Sequence, residues 1–311
     1  MRSRSSSPSI LALLSHFPRP GRVTGCQLIL RLVGVDSPEL IALLSGRRMA
    51  VLTGAGLSTD SGIPDYRGPD SPPSNPMTIR QFTCDPQFRR RYWARNHLGW
   101  RHMDNTQPNA GHRALAALER AGVVNGVITQ NVDLLHTKAG SVNVINLHGT
   151  YAQVACLNCG YRMSRAALAE ELEALNPGFI ERSEAVGGLA VAPDADAVVA
   201  DTATFRYLDC PRCGGMLKPD IVYFGESVPK HIVEQAYSLV DQAEALLVAG
   251  SSLTVFSGYR FVRHAVAKGI PVAIVNRGRT RGDDLASVTV DGGCSEILTL
   301  LAAELVVSAP F

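Results

Sequence analysis

The chain has 311 residues, 46% of them hydrophobic, which is enough to bury a large core and predicts about two domains. Its 30 basic and 28 acidic residues leave a net charge of +2, which gives no electrostatic reason to expect a nucleic-acid partner. No uninterrupted apolar run approaches the roughly 18 residues that span a membrane, so we expect a soluble protein without a membrane partner.

Residues 1–35 differ in composition from the rest of the chain. They contain no acidic residue, and five arginines lie among serines and prolines. This pattern is typical of a mitochondrial transit peptide, but a disordered tail or an over-extended start codon gives the same composition. We interpret the segment as a disordered or targeting tail. The expected location is the cytoplasm if the chain is bacterial, with the mitochondrial matrix as the alternative.

From Pro38 onward, helical periodicity alternates with short apolar runs. This alternation predicts an α/β fold with a doubly wound, parallel sheet. Residues 69–110 are polar and contain six prolines, which predicts a loop followed by short helices. The predicted helices are Pro38–Leu44, Gly111–Ala121, Ala166–Leu175, Lys230–Ala243 and Tyr259–Lys268. The predicted strands are Met49–Thr53, Val123–Thr129, Val142–Leu147, Ala245–Ala249 and Pro271–Asn276.

A glycine-rich motif, G-A-G-L-S-T-D-S-G-I-P-D-Y-R-G (residues 54–68), follows the first predicted strand. Because Gly54 and Gly56 carry no side chains where the backbone turns tightly, the backbone N–H groups of this turn are expected to approach a phosphate. Thr59 stands where the dinucleotide fingerprint has its third glycine, so a turn without a ligand is the alternative. The motif continues with Asp65, Tyr66 and Arg67, which a plain cofactor clamp does not require.

Four of the seven cysteines form two C-x-x-C pairs, Cys156/Cys159 and Cys210/Cys213. Each spacing brings two sulfurs onto one turn, which the glycine after each pair permits. Four thiolates with no open position indicate one structural, tetrahedral Zn²⁺ in a reducing compartment. A redox-active pair and a nucleic-acid-binding zinc ribbon are the alternatives. The ribbon is disfavoured because the segment lacks a cluster of basic and aromatic residues.

Polar motifs follow several predicted strands. They are T-Q-N-V-D (129–133), L-H-G (147–149), G-S-S (250–252) and N-R-G (276–278). Open α/β sheets bind ligands at the carboxyl ends of their strands. The first motif offers groups for ribose hydroxyls and a carboxamide, although the same residues also suit a helix cap. The unperturbed pKa of histidine lies near neutrality, which suits His148 as a general base. An isolated histidine is, however, more often structural than catalytic.

These motifs occur together in the order found in the sirtuins, the NAD-dependent protein-lysine deacylases. The resemblance covers residues from about 40 to 305 and includes K-P-D-I-V-Y-F-G-E (218–226). R-R-Y-W-A-R-N (90–96), Trp100 and L-N-C-G (157–160) are similar to the class II branch, which includes the mitochondrial fourth human sirtuin. The resemblance implies two units. Residues 36–150 and 226–311 would form a Rossmann-like NAD-binding domain, and residues 151–225 an inserted zinc-binding module with a long class II loop.

For the reaction, the resemblance implies that nicotinamide leaves NAD as the acyl oxygen attacks the ribose C1′, giving an alkylamidate. His148 would then deprotonate a ribose hydroxyl, and the products are free lysine, nicotinamide and O-acyl-ADP-ribose. Asn131 and Asp133 would act beside His148 by orienting nicotinamide and ribose. The implied NAD contacts are Gly54, Ala55, Gly56, Ser58, Asp65, Tyr66, Arg67, Gln130, Asn131, Asp133, Gly250, Ser251, Ser252, Asn276, Arg277, Gly278 and Cys294.

A second pattern predicts the acyl group. Tyr92 and Arg95 have the Y-x-x-R spacing with which carboxyacyl-selective sirtuins bind an acidic acyl tail, and on a helix both side chains share a face. A solvated basic face that includes residues 89–91 is the alternative. We expect a broad or a long and acidic acyl preference, with weak deacetylation. An exposed strand edge is predicted to bind the substrate peptide through Val222, Phe224 and Gly225.

The expected partners are NAD and acyl-lysine proteins, bound by a monomer. Mono-ADP-ribosyl transfer to proteins is the alternative enzyme activity, because it uses the same NAD site. A non-catalytic NAD-sensing interaction module is the alternative outside catalysis. The presence of His148, Asn131 and Asp133 disfavours that module.

Overall fold

The computed structural model describes residues 37–67, 76–184 and 202–307. The predicted tail (1–35), Gly68 of the glycine motif and residues 185–201 of the predicted class II loop lie outside the described residues. Within the described ranges, no helix is both long enough and apolar enough to cross a membrane.

The larger sheet has six parallel strands. They are β1 (Met49–Thr53), β2 (Val124–Thr129), β3 (Val144–Asn146), β7 (Ala245–Ala249), β8 (Val272–Asn276) and β9 (Val288–Asp291). Their order is β3-β2-β1-β7-β8-β9, so the strand order reverses between β1 and β7. Thr53 at the end of β1 pairs with Thr129 on one side and with Ala249 on the other. Doubly wound sheets bind ligands at this reversal, outside the carboxyl ends of the strands.

The smaller sheet has three antiparallel strands. They are β4 (Gly149–Cys156), β5 (Arg162–Ser164) and β6 (Leu217–Ile221), in the order β5-β4-β6. Only Leu147 and His148 separate β3 of the larger sheet from β4 of the smaller one. Along the chain, the segment with the cysteine pairs therefore lies between β1–β3 and β7–β9 of the larger sheet. His148 lies at the junction of the two sheets.

Ten α-helices are present in the described part of the chain. They are α1 (Pro38–Leu44), α2 (Ile79–Cys84), α3 (Pro86–Asn105), α4 (Ala110–Arg120), α5 (Leu135–Lys138), α6 (Arg165–Leu175), α7 (Phe179–Glu184), α8 (Lys230–Asp241), α9 (Phe256–Ala267) and α10 (Cys294–Val307). The predicted fold class is confirmed by this arrangement of helices and parallel strands.

Helix α3 corrects one local prediction. The prolines before residue 110 predicted short helices, but α3 runs for 20 residues. Asp85 caps its start by accepting hydrogen bonds from the N–H groups of Gln87 and Phe88, at 2.8 and 3.0 Å. Pro86 stands in the first turn, where its missing N–H costs nothing. The proline thus begins a long helix here.

Two groups of buried side chains form the core. One covers the larger sheet, where all five residues of β1 and all five of β7 are buried, as expected of central parallel strands. The other joins α3 to the smaller sheet through edge-to-face contacts of Phe82, Tyr92 and Trp93, and it includes Tyr223. Cys156 and Cys210 belong to the same core, so the segment with the cysteine pairs packs against α3.

His97 on α3 is buried in this second core. Its exposed fraction is 1%, and neither ring nitrogen has a hydrogen-bond partner among the described residues. Burial and the charges of Arg165 and Arg101 lower the pKa of His97 from 6.5 to about 3. The folded chain therefore keeps this imidazole neutral at a pH where the unfolded chain protonates it.

We predict that His97→Phe makes stability less sensitive to acid. Since the folded-state pKa is depressed, stability is lost as the pH falls below 6.5, by about 1.4 kcal/mol per unit. Relative to the native chain, the variant should gain about 2 kcal/mol between pH 7.5 and pH 5. Urea unfolding at both pH values measures this change. An equal change in the free energy of unfolding at both pH values would contradict the prediction. His102→Phe is the matched control, because His102 is exposed.

Candidate functional site

Two chain turns pack backbone against backbone at the reversal of strand order. Gly56 after β1 donates its N–H to the carbonyl of Gly250 after β7, at 2.9 Å. A Cβ at Gly250, where φ is 65°, would lie 2.2 Å from the nitrogen of Leu57. A Cβ at Gly54 would lie 2.8 Å from the Gly250 oxygen. The glycines are needed for this approach.

The N–H groups of Gly54 and Gly56 are bonded within the protein, so the predicted phosphate contact would have to use other N–H groups of this turn. Gly54 donates to the carbonyl of Ala249 at 3.2 Å, and Gly56 donates to Gly250. The chain then forms two short 3-10 turns, Ala55–Leu57 and Thr59–Ser61, in place of a long helix. Protein carbonyls therefore occupy the donors that a dinucleotide fingerprint would present to its ligand.

Ser58, Asn131 and Asp133 form a buried polar network beside these turns. The Ser58 hydroxyl donates to the Asp133 carboxylate at 2.6 Å, and the Asn131 amide donates to Ser58 Oγ at 3.1 Å. Asn131 also donates to the carbonyl of Gly54 at 3.0 Å. Burial raises the pKa of Asp133, while the hydrogen bonds from Ser58 and from the Leu135 N–H oppose that rise. The network ties the T-Q-N-V-D motif after β2 to the glycine motif after β1.

Gln130 connects the same motif to the turn after β7. Its side-chain amide donates to Ser251 Oγ at 2.8 Å. Its backbone N–H donates to the carbonyl of Thr53 at 3.0 Å. Three strand ends are thus joined by side-chain hydrogen bonds within one small region.

His148 is held at both ring nitrogens. Nδ1 lies 2.9 Å from the Gln130 carbonyl oxygen, and Nε2 lies 2.8 Å from Ser257 Oγ. A carbonyl oxygen only accepts, so Nδ1 carries the proton, and the Nε2 of the neutral ring is left as an acceptor. Burial and the charge of Arg260 lower the pKa of His148, and the Gln130 hydrogen bond opposes them. The ring is therefore a neutral base whose lone pair lies on Nε2.

Backbone contacts with the smaller sheet position His148. Its carbonyl accepts from the Val222 N–H at 2.8 Å. The next residue, Gly149, has φ 79°, and a Cβ there would lie 2.0 Å from the Asp220 oxygen. The imidazole is thus placed by β4 and β6 as well as by the larger sheet.

A cavity of about 480 Å³ brings most of the predicted site residues together. Leu253 lines this cavity, and Leu134 directly follows the lining residue Asp133. Both are non-glycine residues with positive φ, 56° and 61°, a backbone conformation that clusters at functional sites. The predicted site residues that line the cavity are Gly54, Ala55, Ser58, Tyr66, Arg67, Gln130, Asn131, Asp133, His148, Val222, Phe224, Gly225, Ser251 and Ser252.

Other predicted NAD contacts lie outside this cavity. Asp65 is not among the lining residues, and Gly56 and Gly250 pack on each other behind the wall. Asn276 ends β8, and Arg277 and Gly278 follow it, next to the turn after β7. The Cys294 thiol donates to the Val275 carbonyl at 3.8 Å, and burial raises its pKa to about 12. These residues share an edge of the sheet with the cavity without lining it.

Tyr92 and Arg95, the residues of the predicted acyl pocket, do not line the cavity, so that pocket stays a prediction. The Tyr92 ring is buried in the α3 core behind Tyr223, with ring centroids 5.6 Å apart. Its hydroxyl accepts a hydrogen bond from the Asn96 amide at 3.3 Å. The i, i+3 spacing gives a shared helix face, but packing turns the Tyr92 part of that face into the core.

The predicted peptide-binding edge is partly occupied. The Val222 N–H bonds to His148, and the Phe224 N–H donates to the Met77 carbonyl at 3.3 Å. Ile79 donates back to the Phe224 carbonyl at 3.0 Å. These backbone groups are therefore not open to a peptide, although the Phe224 side chain is 40% exposed at the cavity.

Ser257 and Arg260 line the cavity and were not predicted from the sequence. Both lie in the first two turns of α9, shortly after the G-S-S motif. Their position shortly after that strand-end motif could have indicated that they lie near the site. The residue types and spacing of Ser257 and Arg260 match no known site motif.

The four predicted zinc ligands converge. Cys156 Sγ lies 3.6 Å from Cys213 Sγ, and Cys159 Sγ lies 3.7 Å from Cys210 Sγ. All four sulfurs lie within 4.8 Å of one another. Zn–S bonds of about 2.3 Å in a tetrahedron place sulfurs about 3.8 Å apart, so the donor set fits Zn²⁺. The metal would be structural, because four protein ligands leave no open position.

Backbone donors prepare one of these sulfurs for a metal. The N–H groups of Cys159 and Asn158 point at Cys156 Sγ, at 3.5 and 3.4 Å. These bonds, that of Cys159 foremost, lower the pKa of Cys156 to about 6. Gly160 and Gly214 have φ of 70° and 68°, as the turn after each pair requires.

Comparison with known proteins decides the family. The pattern of the Sir2 family matches residues 54–257. NAD-dependent protein deacetylase 1 of Mycobacterium avium (strain 104) is 80% identical over 270 residues, which cover 87% of this chain and 96% of that protein. The chain belongs to the Sir2 family.

Two further members extend the match. The NAD-dependent protein deacylase SIR4 of Batrachochytrium dendrobatidis (strain JAM81 / FGSC 10211) is 44% identical and covers 82% of this chain and 89% of its own length. A solved structure described as "Sir2-p53 peptide-NAD+" matches with a TM-score of 0.69 at 31% identity, covering 87% of this chain and 98% of that one. The predicted NAD-dependent protein deacylase activity is confirmed by these matches, whereas the class II assignment stays a prediction.

We predict that Gly250→Ala destabilises this Sir2 protein far more than Gly46→Ala. Both positions have positive φ, but a Cβ at Gly46 meets no atom within 4 Å. Strain alone costs about 1 kcal/mol, and the clash with Leu57 should raise the loss at Gly250 to roughly 3 kcal/mol or more. Urea unfolding measures the loss of stability in both variants. Equal losses would contradict the prediction, because they would show that the turns after β1 and β7 can move apart without an energetic cost.

We predict that Cys210→Ser removes zinc and unfolds the smaller sheet. The native chain should carry one zinc per chain by elemental analysis, because four sulfurs converge on one point. Cys84→Ser is the matched control, since Cys84 is exposed and outside the cluster. Full zinc content in Cys210→Ser would contradict the site.

Proposed function

We propose that His148 is the general base of deacylation and that Asn131 and Asp133 hold NAD beside it. NAD supplies the ribose hydroxyls and the nicotinamide that leaves. In this proposal Nε2 of His148 takes the proton of a ribose hydroxyl. The Asn131 amide and the Asp133 carboxylate, which line the same cavity, orient the ribose and the carboxamide.

The observation that carries this proposal is the pair of hydrogen-bond contacts at the two ring nitrogens of His148. The Gln130 carbonyl leaves the Nε2 lone pair as the basic group. Burial and Arg260 keep the pKa of the ring below its usual value, so the base form is present at neutral pH. As the pH falls through the folded pKa, the ring is protonated and the rate should decline.

Three further proposals concern the wider setting. We propose a class II sirtuin, supported by residues 90–96 and 157–160 and by Trp100. We propose that the chain acts as a monomer, and that it has no nucleic-acid partner, which the net charge of +2 supports. We propose a cytoplasmic location, supported by the bacterial source of an 80% identical relative, with the mitochondrial matrix as the alternative.

We predict that nicotinamide release requires both NAD and an acyl-lysine peptide. His148→Ala should lower kcat about 10²- to 10⁴-fold, the range of general-base catalysis, while NAD still binds. Mass spectrometry of acetyl-, glutaryl- and lipoyl-lysine peptides measures turnover. Arg95→Ala should leave the ratio of glutaryl to acetyl turnover within twofold, as should the exposed Arg91→Ala.

Two outcomes would contradict this account. Unchanged nicotinamide release in His148→Ala would remove the general base. A selective loss of glutaryl turnover in Arg95→Ala, absent in Arg91→Ala, would restore the acidic pocket on α3. Label transfer from NAD to an unacylated protein would instead support ADP-ribosyl transfer.

A further inference from the structure

The first two turns of α9 approach the imidazole of His148 from the side opposite Gln130. Ser257 Oγ lies 2.8 Å from Nε2 and is buried with its residue at 9% exposure. Arg260 lies three residues further along the helix, so it shares a face with Ser257, and both line the cavity with His148. One helix face thus presents a hydroxyl and a guanidinium to the ring.

We propose that Ser257 and Arg260 are positioning residues for His148, with Ser257 aiming Nε2 into the cavity and Arg260 disfavouring protonation of the ring. This inference rests on the proposed role of His148 as the base.

The aim of the ring depends on two hydrogen bonds on opposite sides. Nδ1–H donates to the Gln130 carbonyl, so Nε2 accepts from the Ser257 hydroxyl. Two such bonds leave the imidazole no free rotation about its side-chain bonds. The Ser257 hydroxyl can rotate away, so it releases the Nε2 lone pair when a ribose hydroxyl arrives.

The same helix turn also supports Gln130. A Cβ at Gly258 would lie 2.6 Å from Gln130 Oε1, so the turn packs directly on that side chain. Gln130 in turn donates to Ser251. The start of α9 therefore supplies Ser257, the partner of Nε2, and packs on Gln130, the partner of Nδ1.

The charge of Arg260 is not compensated near the ring. Its guanidinium stacks on the Phe256 ring, 5.2 Å from the centroid, and no carboxylate pairs with it among the described residues. Its Nε is buried without a hydrogen-bond partner. The N-terminus of the 12-residue helix α9 adds positive potential on the same side. A protonated imidazole would therefore be repelled from the helix.

The other charged groups in the cavity wall are Arg67, Asp133 and Glu226. Asp133 is engaged by Ser58 and by the Leu135 N–H. Glu226 pairs with Lys218 at 2.9 Å. Both carboxylates are thus held by donors of their own. Of the two arginines in the wall, Arg260 is the one whose charge, together with burial, lowers the pKa of His148.

The test is an NMR titration of the ¹³C-labelled histidine rings in the full chain, with the His148 signal assigned by its loss in His148→Gln. We expect Arg260→Met to raise the pKa of His148 by about one unit and Arg260→Lys to restore it. The exposed Arg263→Met, one turn further along α9, should leave the pKa unchanged. The acid limb of kcat/KM against pH should shift by the same amount as the titration.

Ser257 has a separate readout. Ser257→Ala should lower kcat about tenfold with an unchanged KM for NAD, and Ser257→Thr should restore it. An unmoved His148 pKa in Arg260→Met, or full activity in Ser257→Ala, would overturn the inference. A pKa that moves while the acid limb of kcat/KM stays in place would instead remove His148 as the base, which separates the two failures.

Discussion

The arrangement of the cavity depends on the backbone contact between the turns after β1 and β7. Because Gly54, Gly56 and Gly250 carry no side chains, these turns approach within hydrogen-bond distance. That distance sets where Ser58 meets the T-Q-N-V-D motif and where Gln130 reaches Ser251. A larger residue at the contact would separate strand ends that the polar network needs close together, so these glycines serve the site through packing.

The sheet was largely predictable because its central strands are apolar throughout and are separated by recognisable helices. Met49–Thr53 and Ala245–Ala249 have the predicted bounds, since strands buried on both faces need continuous apolar runs. Val288–Asp291 was not predicted, because it lies at the edge of the sheet and alternates apolar with polar residues. The helix Cys294–Val307 was missed because its apolar residues show no clear face.

The site was predictable where residues follow strands, since parallel strands end at one edge. His148, Asn131 and Asp133 were found in this way, and the cysteine spacing located the metal ligands. The burial of Tyr92 could not be predicted, because helical spacing does not say which face of a helix packs into the core. Ser257 and Arg260 were missed, because ordinary helix residues become part of a site only through the fold.

The two-residue link between the sheets has a mechanical consequence. His148 lies between β3 of one sheet and β4 of the other, and its own carbonyl is bonded to the Val222 N–H. At Gly149 the backbone of β4 lies so close to that of β6 that no side chain fits between them. The cysteine-bearing module is therefore joined directly to the backbone that carries the imidazole. A small rotation of that module would move this backbone and strain the two hydrogen bonds that hold the ring, those to Gln130 and Ser257.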